Sequence, residues 1–323
     1  MVSAKHGLVE MNILITGGAG FIGSNLASKL SEQKHNVTVI DCKLEGSGYN
    51  DFNLRDIDVN FIKADMREFN NPKLVKNQDI IFNLSAHLSH TGSMKNPLLD
   101  CDINIRASLN LLELCRKSEF KGRVVYTGTR GQYGRPKYLP VDEKHPMTPE
   151  DINGLNKQLA ENYHIFYHKK FNIDTVCARL TNIYGPKHQM KHGEQGILNF
   201  FIRKAMDNET ITLFNGAQKR DFLYIDDCIN ALIKLSQSKY NDVFNVGCGT
   251  GISLKRAVEV LNEILPCAVR FELEPEEWKK VEVGNFFMDI KKIRKIGWSP
   301  STNLKTGMEK TIEFYKQNKR YYW

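Results

Sequence analysis

Three glycines and one acid have the plainest chemical use in this sequence. Gly17, Gly20 and Gly23 follow the β-branched run Asn12-Ile-Leu-Ile-Thr16 and surround Phe21 and Ile22, which begin an apolar repeat at helical spacing through Leu26 and Leu30. A second strand-like run, Val37-Thr-Val-Ile40, ends at Asp41. Strand, glycine turn, helix and strand, with a carboxylate about twenty residues on, is the pattern that binds a dinucleotide. Gly17 suits the tight turn, Gly20 leaves bare backbone against a pyrophosphate, and Gly23 lets helix pack on strand. The amides at the helix start, from Phe21 and Ile22 onward, are free to bind an anion. Asp41 accepts hydrogen bonds from the adenosine ribose and repels a 2′-phosphate, which favours NAD over NADP.

Further candidates stand at the ends of later strands. A third strand at 59–62 is followed by Asp65, with Met66 beside it; an acid there either meets the adenine amino group or caps the next helix. A fourth at 79–82 leads into Asn83-Leu84-Ser85-Ala86-His87, whose small residues admit a cofactor close to the backbone. A fifth at 123–126 runs into Thr127-Gly-Thr129-Arg130-Gly-Gln-Tyr133-Gly134, and a sixth at 175–178 into Arg179-Leu-Thr-Asn182.

The elements that must hold these residues alternate strand with helix, which implies a doubly wound parallel sheet with its ligand crevice at the strands' C-terminal ends, a Rossmann arrangement. A helix is expected over 98–117, with Leu98, Ile105, Leu109 and Leu112 on a buried face that also serves a subunit contact, and another from about 150 to 170. Residues 1–10 read as a loose extension, 11–180 as the dinucleotide-binding domain and 181–323 as a smaller substrate-binding α/β region, some of whose elements return to the first. Gly247-Cys-Gly249-Thr-Gly251 mimics a nucleotide turn but lacks the following helix and acid, so it reads as a strand-end turn. Tyr321-Tyr-Trp323 is either packing or a frayed tail.

Composition narrows the class. With 41% hydrophobic and 25% charged residues the chain is an ordinary globular one, and its net charge of +8 is scattered, not gathered in a stripe. That suits a phosphate-bearing small molecule and argues against a nucleic-acid partner. Seven cysteines without a C-x-x-C pair argue against both a disulfide framework and a zinc site, so no metal is expected and a reducing, cytoplasmic compartment is. No apolar run reaches membrane-spanning length.

This order of motifs resembles the extended short-chain dehydrogenase/reductases, the NAD-dependent nucleotide-sugar epimerases and dehydratases, from Met11 to about Tyr315. The matching residues are Thr16-Gly-Gly-Ala-Gly-Phe-Ile-Gly23, Leu84-Ser-Ala86, Asn104, Tyr126-Thr-Gly-Thr129 with Tyr133-Gly134, Asn182-Ile-Tyr-Gly-Pro186, Arg220-Asp-Phe222 and Gly297-Trp298. The resemblance implies that Thr129 holds the sugar hydroxyl being oxidised and Lys157 binds the nicotinamide ribose. It implies that Asn182 lies near a nucleotide diphosphate and Arg220 grips it. It further implies a homodimer in which NAD takes a hydride from a sugar carbon, commonly C4.

Two departures qualify the likeness. The family places a tyrosine four residues before its lysine, whose charge favours the phenolate; here that position is Asn153, which cannot take a proton. Another group must do so. Candidates are Lys157 with a depressed pKa, His87 and His90 on the segment bordering substrate and nicotinamide, His188 and His192 if their loop folds inward, Tyr133, or a water relayed through Asn153. The 4,6-dehydratases of the family also carry an acid pair directly after the threonine, where this chain has Arg130-Gly131. An arginine cannot protonate a leaving hydroxyl, which disfavours ordinary dehydration; it can hold a carboxylate or phosphate on the sugar, or pair with a neighbouring acid. The expected function is therefore oxidation of a sugar ring hydroxyl as a step of 4-epimerisation. The alternatives are a nucleotide-sugar 4-dehydrogenase or atypical dehydratase, and a binding protein for NAD and nucleotide sugar that has lost turnover.

Overall fold

A computed structural model describes residues 9–44, 47–191, 196–273 and 283–323. Most of the N-terminal extension and His192 lie outside them. The chain begins β1 (Asn12–Thr16), α1 (Phe21–Glu32), β2 (Asn36–Asp41), β3 (Asn60–Lys63), α2 (Pro72–Lys76) and β4 (Ile80–Asn83). It continues α3 (His90–Lys95), α4 (Pro97–Cys101), a π turn (Asp102–Arg106), α5 (Ala107–Lys117), β5 (Arg123–Thr129), a 3-10 turn (Arg130–Gln132), α6 (Ile152–Phe171), β6 (Asp174–Leu180) and β7 (Asn182–Tyr184). The last part holds α7 (Ile197–Met206), β8 (Ile211–Phe214), β9 (Lys219–Arg220), β10 (Phe222–Tyr224), α8 (Ile225–Ser236), β11 (Val243–Val246), β12 (Ile252–Ser253), α9 (Leu254–Ile264), β13 (Val269–Glu272) and the helices Lys291–Arg294 and Leu304–Asn318.

Seven parallel strands form one sheet in the order β11-β6-β5-β4-β1-β2-β3. The apolar runs read from the sequence are continuous because both faces are covered. Ile13 and Ile15 of β1 look into one core with α1 and α8, while Leu14 between them looks into the other with Leu111, Leu112 and Cys115 of α5. Strand order reverses between β1 and β4, and that switch point opens a crevice beyond the strands' C-terminal ends. β11 comes from the last third of the chain yet completes this sheet beside β6. Among the described residues no helix is long and apolar enough to cross a membrane.

Two expectations are corrected and three open alternatives are decided. The helix expected over 98–117 is broken by the π turn, and Leu98 is 80% exposed. Polar groups, not the apolar stripe, set the rotation there: Asp100 and Asn104 are buried and bonded to each other, with the Asp100 carboxylate also turned onto α6. Asp65 caps no helix; its carboxylate accepts the Arg67 amide at 2.9 Å and a forked contact from the Arg67 guanidinium, while α2 starts later under its own cap, Asn71. Arginine two residues on outcompetes a distant helix start. The loop carrying His188 does fold inward, with His188, Gln189 and Met190 buried. The end of the chain packs: Tyr322 is buried with its hydroxyl donating to Asn53 Oδ1 at 2.6 Å, and Tyr321 stacks on Phe52. The 247–251 turn does end a strand, β11, but the helix it was expected to lack follows as α9 after the two residues of β12; the buried Asp221 carboxylate accepts the amides of Cys248 and Gly249 and so occupies the turn.

Candidate active site

The crevice at the switch point is a cleft of about 450 Å³. Its floor is the turn between β1 and α1. Gly17 has φ +68°, and a Cβ there would meet the Leu84 carbonyl oxygen and Ser85 amide at 2.9 Å, so only glycine lets β4's exit lie this close. Thr16 fixes that approach, its hydroxyl accepting the Leu84 and Ser85 amides, both at 3.2 Å. Helix α1 begins at Gly20 with no side-chain cap, leaving its first amides toward the cleft. Asp41 closes over the turn, with Oδ2 accepting the Ala19 amide at 3.1 Å and Oδ1 the Lys43 amide at 2.9 Å. Burial pushes its carboxyl pKa up against those two amides.

Gly17, Gly20, Phe21, Ile22, Gly23, Asp41, Asp65, Met66, Leu84, Ser85, Ala86 and His87 all line this one cleft. A bare-backbone turn, an uncapped helix start and a carboxylate at the end of β2 fit the pyrophosphate and ribose of NAD. These residues would hold it, and what it supplies when bound is a hydride acceptor.

Thr129, Arg130, His90, Asn153, Lys157 and Asn182 line the same cleft from the β5 and β6 side. The Thr129 oxygen accepts the Gly131 amide at 3.2 Å, and the Gln132 side chain receives the Thr129 amide at 2.8 Å. This capping box freezes Thr129 at the strand end with its own hydroxyl proton still to donate. Lys157 is buried, with Nζ 4.7 Å from the Tyr126 ring centroid. Burial lowers its pKa to about 8, with Asp100 and Glu161 pulling the other way. Arg130 Nε donates to Asn182 Oδ1 at 3.1 Å and its guanidinium lies over the Phe286 ring. His188 also reaches the cleft, its ring edge-on to Phe21 at the helix start.

Three predicted residues do not line the cleft. Asn104 is buried behind it, donating to Asp100 Oδ1 and the His87 carbonyl. Arg220 is buried too, with Nη1 donating to the carbonyls of Lys219 and Gly284. Tyr133 faces away, its hydroxyl donating to Asn245 Oδ1 and accepting from Arg179.

Asn153 joins a polar cluster that sequence reasoning missed. The fully buried Asp100 carboxylate accepts from His87 Nδ1 at 2.8 Å, Asn104 Nδ2 at 2.9 Å, Asn156 Nδ2 at 2.8 Å and Asn153 Nδ2 at 3.1 Å. Burial opposes its charge, yet these four bonds hold its pKa below the usual carboxylate range. Asn153 Nδ2 also donates to the His87 carbonyl at 2.6 Å, and its backbone amide to Ser93 Oγ at 3.2 Å. Its amide thus ties the segment after β4 to the start of α6. Asp151, likewise unforeseen, caps α6 through Gly154 and pairs with His90; an aspartate three residues before a glycine at a helix start is the one local signal that could have found it.

Comparisons with known proteins show the family and the fold. The model of the NAD dependent epimerase/dehydratase family matches residues 13–247. A putative UDP-glucose 4-epimerase of Methanocaldococcus jannaschii is 33% identical over 95% of this chain and 99% of its own length. Among solved structures, the UDP-N-acetylglucosamine 4-epimerase of Methanobrevibacter ruminantium, in complex with UDP-N-acetylmuramic acid, superposes with TM-score 0.89 at 26% identity, covering 96% of this chain and 99% of that one. The Thermus thermophilus UDP-glucose 4-epimerase in complex with NAD gives 0.84 at 26% identity, covering 95% and 99%. With the dinucleotide turn, Thr129 and Lys157 on one cleft, the chain belongs to the NAD dependent epimerase/dehydratase family and is an NAD-dependent enzyme of that type.

Proposed function

We propose that the chain is a nucleoside-diphosphate-sugar epimerase, acting on a UDP-hexose in carbohydrate biosynthesis, that oxidises a ring hydroxyl, C4, and restores it in the opposite configuration. The observation that carries this is that Thr129 and Lys157 stand on the same cleft as the glycine turn and Asp41. A sugar hydroxyl held by the Thr129 proton therefore lies within the cleft that takes the nicotinamide. Lys157 places positive charge beside it, favouring the alkoxide that forms as the proton leaves. Arg130 and Asn182 line the cleft beside Thr129, suited to the diphosphate or to a charged sugar substituent. Arg130 offers no proton to a leaving hydroxyl, so elimination is the weaker alternative.

The test is incubation of the purified protein and NAD with UDP-glucose, UDP-galactose and UDP-N-acetylglucosamine, followed by product NMR. Appearance of the C4 epimer is expected. A 4-keto product would favour the dehydrogenase alternative, and neither product nor loss of a C4 deuterium label, with NAD bound, would leave only a binding protein.

A homodimer belongs to the same proposal. Leu155, Leu159, Tyr163 and Phe166 form an apolar stripe along α6, each between 36% and 49% exposed, and a second copy covering that stripe removes it from water. Sedimentation should give twice the chain mass; a monomer at micromolar concentration would refute it. Seven unpaired cysteines support a reducing, cytoplasmic setting.

A further inference from the structure

Near Asn153 the cleft carries two histidine–aspartate pairs, His87–Asp100 and His90–Asp151, and they are not equivalent. His87 donates into Asp100, which three asparagine side chains also engage, while the His87 carbonyl is held by Asn104 and Asn153. That pair is the buried knot joining α4 to α6. His90 is different. Its Nδ1 lies 2.7 Å from Asp151 Oδ2, and its side chain is 46% exposed. Among the described residues nothing hydrogen-bonds its Nε2. The neighbourhood of Gly131 locates its ring: a Cβ built there would lie 3.4 Å from His90 Cε1 and 3.7 Å from Thr129 Oγ1. The imidazole edge and the threonine hydroxyl therefore flank one small space in the cleft.

The backbone bearing His90 is fixed from both sides. Ser93 Oγ donates to the His90 carbonyl at 2.7 Å and accepts the Asn153 amide at 3.2 Å. Asp151 divides its two oxygens, Oδ1 accepting the Gly154 amide at 2.7 Å as the cap of α6 and Oδ2 facing His90. Burial opposes its charge, but the bond from His90 and the cap keep its carboxyl below the usual range. An ionised carboxylate at Nδ1 takes the N–H of a neutral imidazole, so the lone pair sits on Nε2.

We propose, resting on the epimerase reading above, that His90, held through Nδ1 by Asp151 and seated beside the Thr129 hydroxyl, accepts the proton of the sugar hydroxyl under oxidation. The sugar O–H bond breaks and an Nε2–H bond forms. The electron pair left on oxygen closes the carbonyl as the carbon's hydrogen departs as hydride to the family's nicotinamide oxidant, and the proton returns to oxygen when the hydride does. Asp151 is a positioning residue: it fixes the tautomer that has an acceptor to offer. Asn153 holds the segment that delivers the histidine.

Two measurements on the full chain test this. In nitrogen-labelled histidine spectra of the ligand-free protein, the resonance missing from His90→Ala should show the Nδ1–H tautomer; an Nε2–H tautomer overturns the assignment. With NAD and whichever UDP-hexose of the panel turns over, His90→Ala should lower kcat ~10²–10⁴-fold with KM changed only a few-fold, and added imidazole should restore part of the loss. Asp151→Asn keeps the helix cap but not the tautomer, and should lower kcat at least ~10-fold. His90→Ala within about threefold of the parent, or an imidazole-rescued loss in His87→Ala instead, overturns it. A parent inactive on the whole panel means that the epimerase reading has failed and this assignment with it; an active parent matched by an active His90→Ala is the failure of this assignment alone.

Discussion

Replacing Lys157 with methionine should stabilise the folded protein at neutral pH while lowering kcat ~10²–10⁴-fold. Lys157 is a charged group buried beside the Tyr126 ring, and burial lowers its pKa to about 8 from an ordinary 10.5. Because the folded-state value lies below the unfolded one, the folded chain binds fewer protons between the two, and stability rises with pH across that window. Below about 8 the full cost of the buried charge is present, on the order of 3 kcal/mol from a difference of about 2.5 pKa units. Methionine fills similar space without the charge and removes that cost. Urea midpoints at pH 7 and pH 10 check both halves. Lys187, also lowered to about 8 by burial, adds its own alkaline gain to both proteins, so the difference between them is the readout. A variant less stable than the parent at pH 7, or a parent–variant gap that does not narrow by pH 10, would contradict the argument. Stability gained where turnover is lost is what a functional charge should show.

What was legible in the sequence was what depends on neighbours in sequence. The turn at Gly17 to Gly23 could be read because strand, helix and Asp41 all lie within one βαβ unit, and each constrains the next. Lys157 and Thr129 were found only through the resemblance to the family, since no local period or spacing marks either. The knot around Asp100 was not, because its partners His87, Asn104, Asn153 and Asn156 come from three separate stretches and no period marks a buried polar residue. For the same reason the 98–117 helix was rotated wrongly: apolar spacing favoured Leu98, while the unmet hydrogen-bonding needs of Asp100 and Asn104 decided the outcome. His188 entered the cleft wall because its ring packs on Phe21, a contact between residues far apart in sequence that no local pattern announces. Asn153 could be identified as a departure, but not what it does, since its task is set by a carbonyl and a carboxylate more than fifty residues away.

The largest loss of stability should follow Glu161→Ala, at ~3–5 kcal/mol. Glu161 and Arg179 are both buried and pair through two bonds, Nη2 to Oε1 at 2.6 Å and Nε to Oε2 at 3.0 Å. Truncating the carboxylate strands the guanidinium, which among the described residues keeps only Tyr133 at 2.8 Å and the weak carbonyl contact of Glu143. Replacing both partners with methionine removes the stranded charge, so the double variant should return to within ~1–2 kcal/mol of the parent by urea denaturation. Turnover should not follow. Oε2 of Glu161 also accepts Gln132 Nε2 at 2.9 Å, and the other end of that amide receives the Thr129 amide at 2.8 Å. With Glu161 gone, no other described residue holds the Gln132 amide from behind, and the capping box at Thr129 loosens in single and double variants alike. A shift of about 1 Å in a positioning group costs up to ~10²-fold in rate, so the stable double variant should still lose ~10-fold or more in kcat. Stability restored together with full kcat would mean that the salt bridge supports the fold alone; stability restored with kcat still depressed would make Glu161 the anchor of the threonine that holds the sugar.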